Sequence, residues 1–378
     1  MKKLKPLVQI ILIAAYVFSV SCSKEKDSPL PNENAAKSQL KSILPPSPVS
    51  VYGVWHAGND YCSWATVRNM TDFDIKNHWL IDRGNGSPSV NLVVLSFVNP
   101  LRLLNQTTDA GTLNGIPRGM TSDVVSYFTS HGVRVMLSIG GITYTADWTQ
   151  ALTTNATQLG LNAAAVATSL GVGIEIDYEE NITPNLIGLQ AFIDAYRSQL
   201  PYDATGANAA ARLTIDLGAG DRFLIDICRK ATADWLNTSN PVLDYANAMV
   251  SGTKNGSASS IQGDWQEHVD GKPQYSPPIL PLSPAKFTGS LFLVGNHVIA
   301  ECNSFNSSLE KAMGNYVQSV QPNGAGTSAG MLGFMFWAAE CSATNRVCTT
   351  PSNTCQNGVG AGATFYSIPV AMSALRQQ

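Results

Sequence analysis

Residues 171–179 read GVGIEIDYE, so three carboxylates, Glu175, Asp177 and Glu179, stand at alternate positions between isoleucines. In an extended strand successive side chains point to opposite faces, which puts these acids on one face and Ile174, Ile176 and Tyr178 on the other. Alternate residues lie about 7 Å apart, and at an effective dielectric of ~20 two like charges there repel by ~2.4 kcal/mol, nearly two pKa units. All three cannot be ionised at neutral pH. One must hold a proton, which is what a general acid needs in order to protonate a leaving oxygen. No nucleophilic Ser or Cys motif and no metal triad competes for the role, and neither metal nor cofactor is expected.

The elements that must position such a row recur along the chain. Short apolar runs begin at Val51 (VYGVW), Asn91 (NLVVLSFV), Val133 (VRVMLSIGG), Gly171, Arg212 (RLTIDLGAG), Asp244 (DYANAMV), Ser290 (SLFLVG) and Met331 (MLGFMFW), eight in all. Helix signals lie between them. Thr121-Ser122-Asp123 opens a helical pattern that stops at Gly132, and Asn155 starts an Ala-rich segment that ends at Gly171. Thr183-Pro184 reads as an N-cap with Pro at the first helical position, and Leu186, Leu189, Ile193, Tyr196 and Leu200 then repeat at helical spacing. Nearly continuous apolar strands alternating with helices predict a parallel sheet covered on its outside, and eight units predict a (β/α)8 barrel with loop insertions. A doubly wound open sheet is the fallback, but no G-x-G-x-x-G follows the first strand. In a barrel the outer face meets helices, so the acids must project into the lumen, toward its C-terminal mouth. A Pro-rich stretch at 273–284 reads as an inserted loop or lid.

Composition narrows the partners. The 378 residues carry 24 Lys plus Arg against 27 Asp plus Glu, a net charge of -3, which excludes a generic polyanion binder; nucleic acid is not an expected partner. Only 13% of residues are charged, so the surface must be built largely from uncharged polar groups, which hydrogen-bond neutral polyols well. At the N-terminus Lys2, Lys3 and Lys5 precede an apolar run at 7–20, the layout of a secretory signal. Ser21-Cys22 at its end resembles a bacterial lipoprotein signal, although Ser19 stands where a Leu is usual. Residues 1–22 are thus expected to be a lipoprotein signal peptide with Cys22 the lipidated residue, residues 23–50 a Pro- and Ser-rich tether, and residues 51–378 the barrel. The protein is then expected to be exported and to hang by its lipid from a bacterial outer membrane, the cell surface included. Of the remaining cysteines, Cys62, Cys228, Cys302, Cys341, Cys348 and Cys355, some can pair in an exported protein, and free buried thiols are an equal alternative.

The acidic run resembles the D-G-x-D-x-D-x-E motif of glycoside hydrolase family 18, the chitinases and endo-β-N-acetylglucosaminidases. Ser138-Ile139-Gly140-Gly141 is similar to that family's S-x-G-G motif, and GFMFW at 333–337 resembles its eighth strand ending in Trp. The resemblance covers nearly all of residues 50–378. It implies that Glu179 protonates the glycosidic oxygen and later activates water. It implies that Asp177 holds the N–H of the sugar's 2-acetamido group, whose carbonyl oxygen attacks C1, so that configuration is retained without an enzyme nucleophile. Glu175 would share a proton with Asp177, Ser138 would help to hold that inner carboxyl, Gly140 and Gly141 would allow close approach of backbone and sugar, and Trp337 would floor the pocket. The family also suggests non-proline cis peptides near Ser96-Phe97 and Trp337-Ala338.

Departures accompany the matches. The family's first Asp is Val172 here, and its middle Asp is lengthened to Glu175. On the sixth strand the family's M-x-Y-D becomes Met249-Val250-Ser251-Gly252, so Met249 and Ser251 take the substrate-side positions and the Tyr and Asp are missing. Asp216, on the fifth strand, is an extra acid for which a structural hydrogen bond is the expected use. Trp55, Trp64, Trp79, Trp148, Trp235 and Trp265 either line subsites or fill the core. Three functions fit: a chitinase-like retaining hydrolase of β-1,4-linked N-acetylglucosamine polymers, an endo-β-N-acetylglucosaminidase cutting the chitobiose core of N-glycans, or a lipid-anchored glycan-binding protein on a decayed barrel. In each the partner is an N-acetylglucosamine-containing polysaccharide or glycan.

Overall fold

The computed structural model describes residues 50–56, 64–82, 86, 88, 90–249, 258–292, 316, 330–337 and 339. The apolar run at 7–20, Cys22, the tether, Ser251 and every cysteine except Cys228 lie outside the described residues. Cys228 is buried and free.

In chain order the strands are β1 (Val51–His56), β2 (Leu92–Val98), β3 (Thr112–Leu113), β4 (Ile116–Pro117), β5 (Arg134–Gly140), β6 (Gly173–Asp177), β7 (Leu213–Leu217), β8 (Ala246–Ala248), β9 (Phe287–Phe292) and β10 (Gly333–Trp337). The helices are α1 (Met70–Ile81), α2 (Pro100–Leu104), α3 (Ser122–Thr129), α4 (Thr145–Leu170), α5 (Leu186–Gln199), α6 (Ile225–Lys230) and α7 (Ala258–Asp270). Eight strands close a barrel in the order β1-β10-β9-β8-β7-β6-β5-β2, every neighbouring pair parallel, while β3 and β4 form a separate hairpin. The chain is a (β/α)8 barrel, and all eight apolar runs became its strands.

Two layers of packing follow from the strand period. Outward side chains such as Val54, Val93, Ile139, Ile174, Ile176 and Ile215 join the helices in one large apolar cluster, together with Trp64, Trp148, Trp235 and Trp265. Inward ones, Val51, Trp55, Leu92, Val94, Met136, Tyr245 and Met335, form a smaller cluster in the lumen. Val172, in the place of the family's first Asp, is fully buried in the outer layer.

Local signals held unevenly. Thr121 caps α3 as expected, its hydroxyl accepting from the Val124 amide. Thr183 is not the cap of α5. That role belongs to Asn185, whose Oδ1 accepts from the Gly188 amide at 2.9 Å, while Glu180 Oε1 takes the amides of Ile182 and Thr183. Asn155 does start a helical segment, its Oδ1 accepting from the Gln158 amide at 3.0 Å, but α4 begins ten residues earlier and breaks there. The Pro-rich stretch is largely a loop, to which Arg229 of α6 donates at the Pro277 carbonyl and Asn237 at that of Pro281.

Candidate active site

Period-two alternation delivers the inner acids to the lumen. Glu175 is fully buried and Asp177 is 4% exposed. The Glu175 carboxylate accepts from the Trp55 indole N–H at 2.8 Å and from the Asn247 amide at 2.7 Å. Trp55 is on β1, three strands from β6, so the bond spans the lumen. On the reverse face Tyr178 meets Trp148 and shares a hydrogen bond with Thr149 of α4 at 2.9 Å. The strand therefore keeps polar and apolar sides apart, as its sequence requires.

Glu179 follows β6 at the C-terminal end, only partly exposed. Burial pushes its carboxyl up to about 7, against the opposing pull of the Ile142 backbone N–H. Burial likewise pushes Glu175 up to about 7, although Trp55, Ser138, Asp216 and Asn247 all stabilise its charge. Asp216 is raised well above the usual carboxylate range, by burial first and then by the charges of Glu175 and Asp177. The physical cause is common to all three: a dry lumen disfavours charge.

Several residues of the matched motifs lie beside the acids. Ser138 is fully buried and lies opposite Glu175 in the β5–β6 register, as Gly140 lies opposite Asp177. Gly140 and Gly141 have φ of 127° and 89°, and a Cβ on Gly140 would collide with the Asp177 carbonyl oxygen. The turn holds that carbonyl directly, through the Gly141 N–H at 3.0 Å. Only glycine permits both conformations and this closeness. Trp337 is partly exposed at the end of β10, stacked on Phe97 at 5.4 Å between ring centroids and tilted against Trp55 at 6.5 Å. The Ser96–Phe97 peptide is cis. The Trp337–Ala338 bond lies outside the described residues.

Met249 is half-buried after β8, its side chain packed against the outer apolar cluster, its backbone N–H bonded to the Leu217 carbonyl at 2.8 Å. Three residues here, Phe97, Asn247 and Thr288, had no assigned part in the sequence, and Trp55 stood there as a subsite or core residue. Thr288 Oγ1 donates to Asn247 Oδ1 at 2.6 Å, which turns the amide nitrogen of Asn247 toward the acids. Inward parity on β1 and β8 marks Trp55 and Asn247 as lumen candidates. Which acid each meets depends on the stagger of a closed barrel, which no local pattern contains. Of the other tryptophans, Trp64, Trp148, Trp235 and Trp265 fill the core.

The arrangement offers a proton held near neutrality at the mouth, a carboxylate two residues below it and an aromatic platform across from both. No family model matches the chain, and no curated protein matches it. Among solved structures 64 chains match. A GH18 chitinase from Pseudoalteromonas aurantia aligns with a TM-score of 0.51 and 12% identity over 76% of this chain and 93% of that one. A chitinase from Rhizomucor miehei aligns with a TM-score of 0.49 and 12% identity over 82% of this chain and 99% of that one. What this chain has in common with the Pseudoalteromonas chitinase is thus the barrel fold.

Proposed function

We propose that the protein is a retaining, substrate-assisted glycoside hydrolase of β-1,4-linked N-acetylglucosamine glycans. The observation that carries this reading is the half-buried Glu179 at the end of β6, protonated up to about 7 by burial, two positions after the buried Asp177 that ends the strand. Glu179 gives its proton to the glycosidic oxygen as the C1–O bond breaks. Asp177 accepts the acetamido N–H, and the acetamido carbonyl oxygen closes on C1 to form an oxazolinium ion. Water, deprotonated by Glu179, then opens that ring with overall retention. The Trp337 face, flanked by Phe97 and Trp55, suits the apolar face of a sugar ring. The barrel shared with a GH18 chitinase agrees with this.

The test is chemical. Chitin oligomers should be cleaved with retention, and a substrate whose 2-acetamido group is replaced by hydroxyl should not be cleaved; turnover of that glucoside would exclude acetamido participation. Because Glu179 must be protonated to act, kcat/KM should fall as pH rises through about 7. Product analysis with chitin oligomers and, separately, with a high-mannose glycoprotein decides between the chitinase-like and the chitobiose-cutting activities. Binding without any cleavage in both arms would leave a glycan-binding protein. Export with lipid on Cys22 is part of the same proposal, supported by the Lys-rich start, the apolar run and the Ser-Cys pair. Metabolic labelling with a fatty acid that survives Cys22→Ala would overturn it.

A further inference from the structure

Asp216 takes no step in the scheme above, yet it is 3% exposed and faces the same lumen. It pairs with Asn247 across β7–β8, and Thr214, two residues earlier, pairs with Glu175 across β6–β7. Continued by one layer, that register brings Asp216 level with Asp177. The titratable groups that act on Asp216 are Glu175 and Asp177 of β6; β8 offers it only the neutral Asn247 amide.

Counting hydrogens locates the proton. Both oxygens of Glu175 are occupied by groups that can only donate there. The Trp55 indole N–H has no acceptor capacity, and the Asn247 nitrogen is turned inward because Thr288 donates to its oxygen. These two fixed donors favour Glu175 as the charged partner of the pair. Asp216 stands one inward position beyond the residue that pairs with Glu175, and the Glu175 charge acts on it; two neighbouring carboxyls in a dry site cannot both be ionised. Asp216 also has a buried Oδ1 that makes no hydrogen bond. Leaving such an oxygen charged is costly, and leaving it neutral costs much less.

We propose that Asp216 is a positioning residue that carries the resident proton of the inner acid pair and donates it to Glu175, holding Glu175 ionised and fixed beneath Asp177. Glu175 then draws its proton partner from the neighbouring strand, and the Asp177 carboxyl is left to the substrate. The placement of the proton stands on the donors to Glu175 and on the buried Asp216 oxygen that has none; its consequence for turnover rests on the hydrolase reading.

The experiment compares the full chain with Asp216→Asn and Asp216→Leu. At mildly alkaline pH the wild type should show the infrared carbonyl band of a protonated carboxyl, and Asp216→Asn should lack it. With chitin oligomers, Asp216→Asn should lower kcat only about threefold, because its amide N–H replaces the O–H donor, with the acidic limb of the pH profile unmoved. Asp216→Leu, without a donor to the charged Glu175, should lower kcat about tenfold or more with KM changed less. A band that survives in Asp216→Asn, an acidic limb that moves to lower pH in that variant, or equal losses in the two variants would overturn the proposal. Should Asp216→Leu fail to fold, the band and the Asn variant still decide. Should no form of the protein cleave glycans, the hydrolase reading falls, and the band alone says where the proton is.

Discussion

The molecule buries carboxylates in two places and treats them in opposite ways. In the lumen Glu175, Asp177 and Asp216 are 0%, 4% and 3% exposed, and Glu175 is held by neutral donors, Trp55 and Asn247. On the outer wall, between the loop after β7 and α7, Asp221 and Asp264 are 0% and 3% exposed and stand with Glu267. There cations answer them: Lys272 Nζ lies 3.6 Å from Asp221 and 3.5 Å from Glu267, and Arg222 reaches Asp264 at 2.6 Å and Glu267 at 3.3 Å. Burial pushes Asp221 up to about 7 even so, the same level as Glu175. A raised carboxyl is therefore no mark of chemistry by itself. What separates the two sites is the counter-charge: opposed charges tie a loop to a helix, whereas acids offered only neutral donors must keep protons, and a kept proton can be given away.

The contrast can be broken at either end. The largest effect belongs to Glu179→Gln, which should lower hydrolysis of chitin oligomers about a thousandfold, the usual worth of a positioned acid, while calorimetric binding of the oligomer survives. Unchanged turnover would move the acid elsewhere. Lys272→Met should leave Asp221 and Glu267 without their shared cation and cost about 3 kcal/mol in denaturant unfolding, with kcat intact. A stable Lys272→Met variant with altered kcat would merge the two sites. Trp55→Phe removes one donor to the Glu175 charge and should cost about 2 kcal/mol in transition-state stabilisation, seen as a lower kcat/KM.

The smallest effect is a slope. Glu179 and Asp221 have carboxyls raised from ordinary values of 4.5 and 3.8 to about 7, so the folded state holds protons that the unfolded chain releases. Their contribution to stability is complete below the ordinary carboxylate range and is lost as pH rises through about 7. The denaturation midpoint should accordingly decline from acid toward neutral pH, and Glu179→Gln and Asp221→Asn should each flatten that decline.

Much of this site was legible because strand period two and helix period 3.6 are local. Glu175 and Asp177 point inward for the same reason that Ile174 and Ile176 point outward, and both facts are written in one short run. Asp216 was read as a residue with a structural hydrogen bond. The structure buries it in the lumen with an Oδ1 that makes none, and its neighbour is an acid on the next strand, which depends on register. Trp55 and Asn247 were invisible as ligands of Glu175 because they come from β1 and β8, and barrel stagger alone brings the three together. The cap of α5 was misplaced by two residues because Thr183 and Asn185 are both good caps, and the choice fell to Glu180, which captured the Thr183 amide instead.

The Trp55–Glu175 bond joins residues 120 positions apart. A nascent chain can make β6 with all its acids and still lack the group that steadies the innermost one, because the first strand reaches it only when the cylinder is assembled. β10, near the other extremity of the described chain, is hydrogen-bonded to β1 along five residue pairs and contributes Trp337. On the proposed function, competence toward sugar would arrive together with closure of the wall, and half-built forms of this protein should be chemically silent.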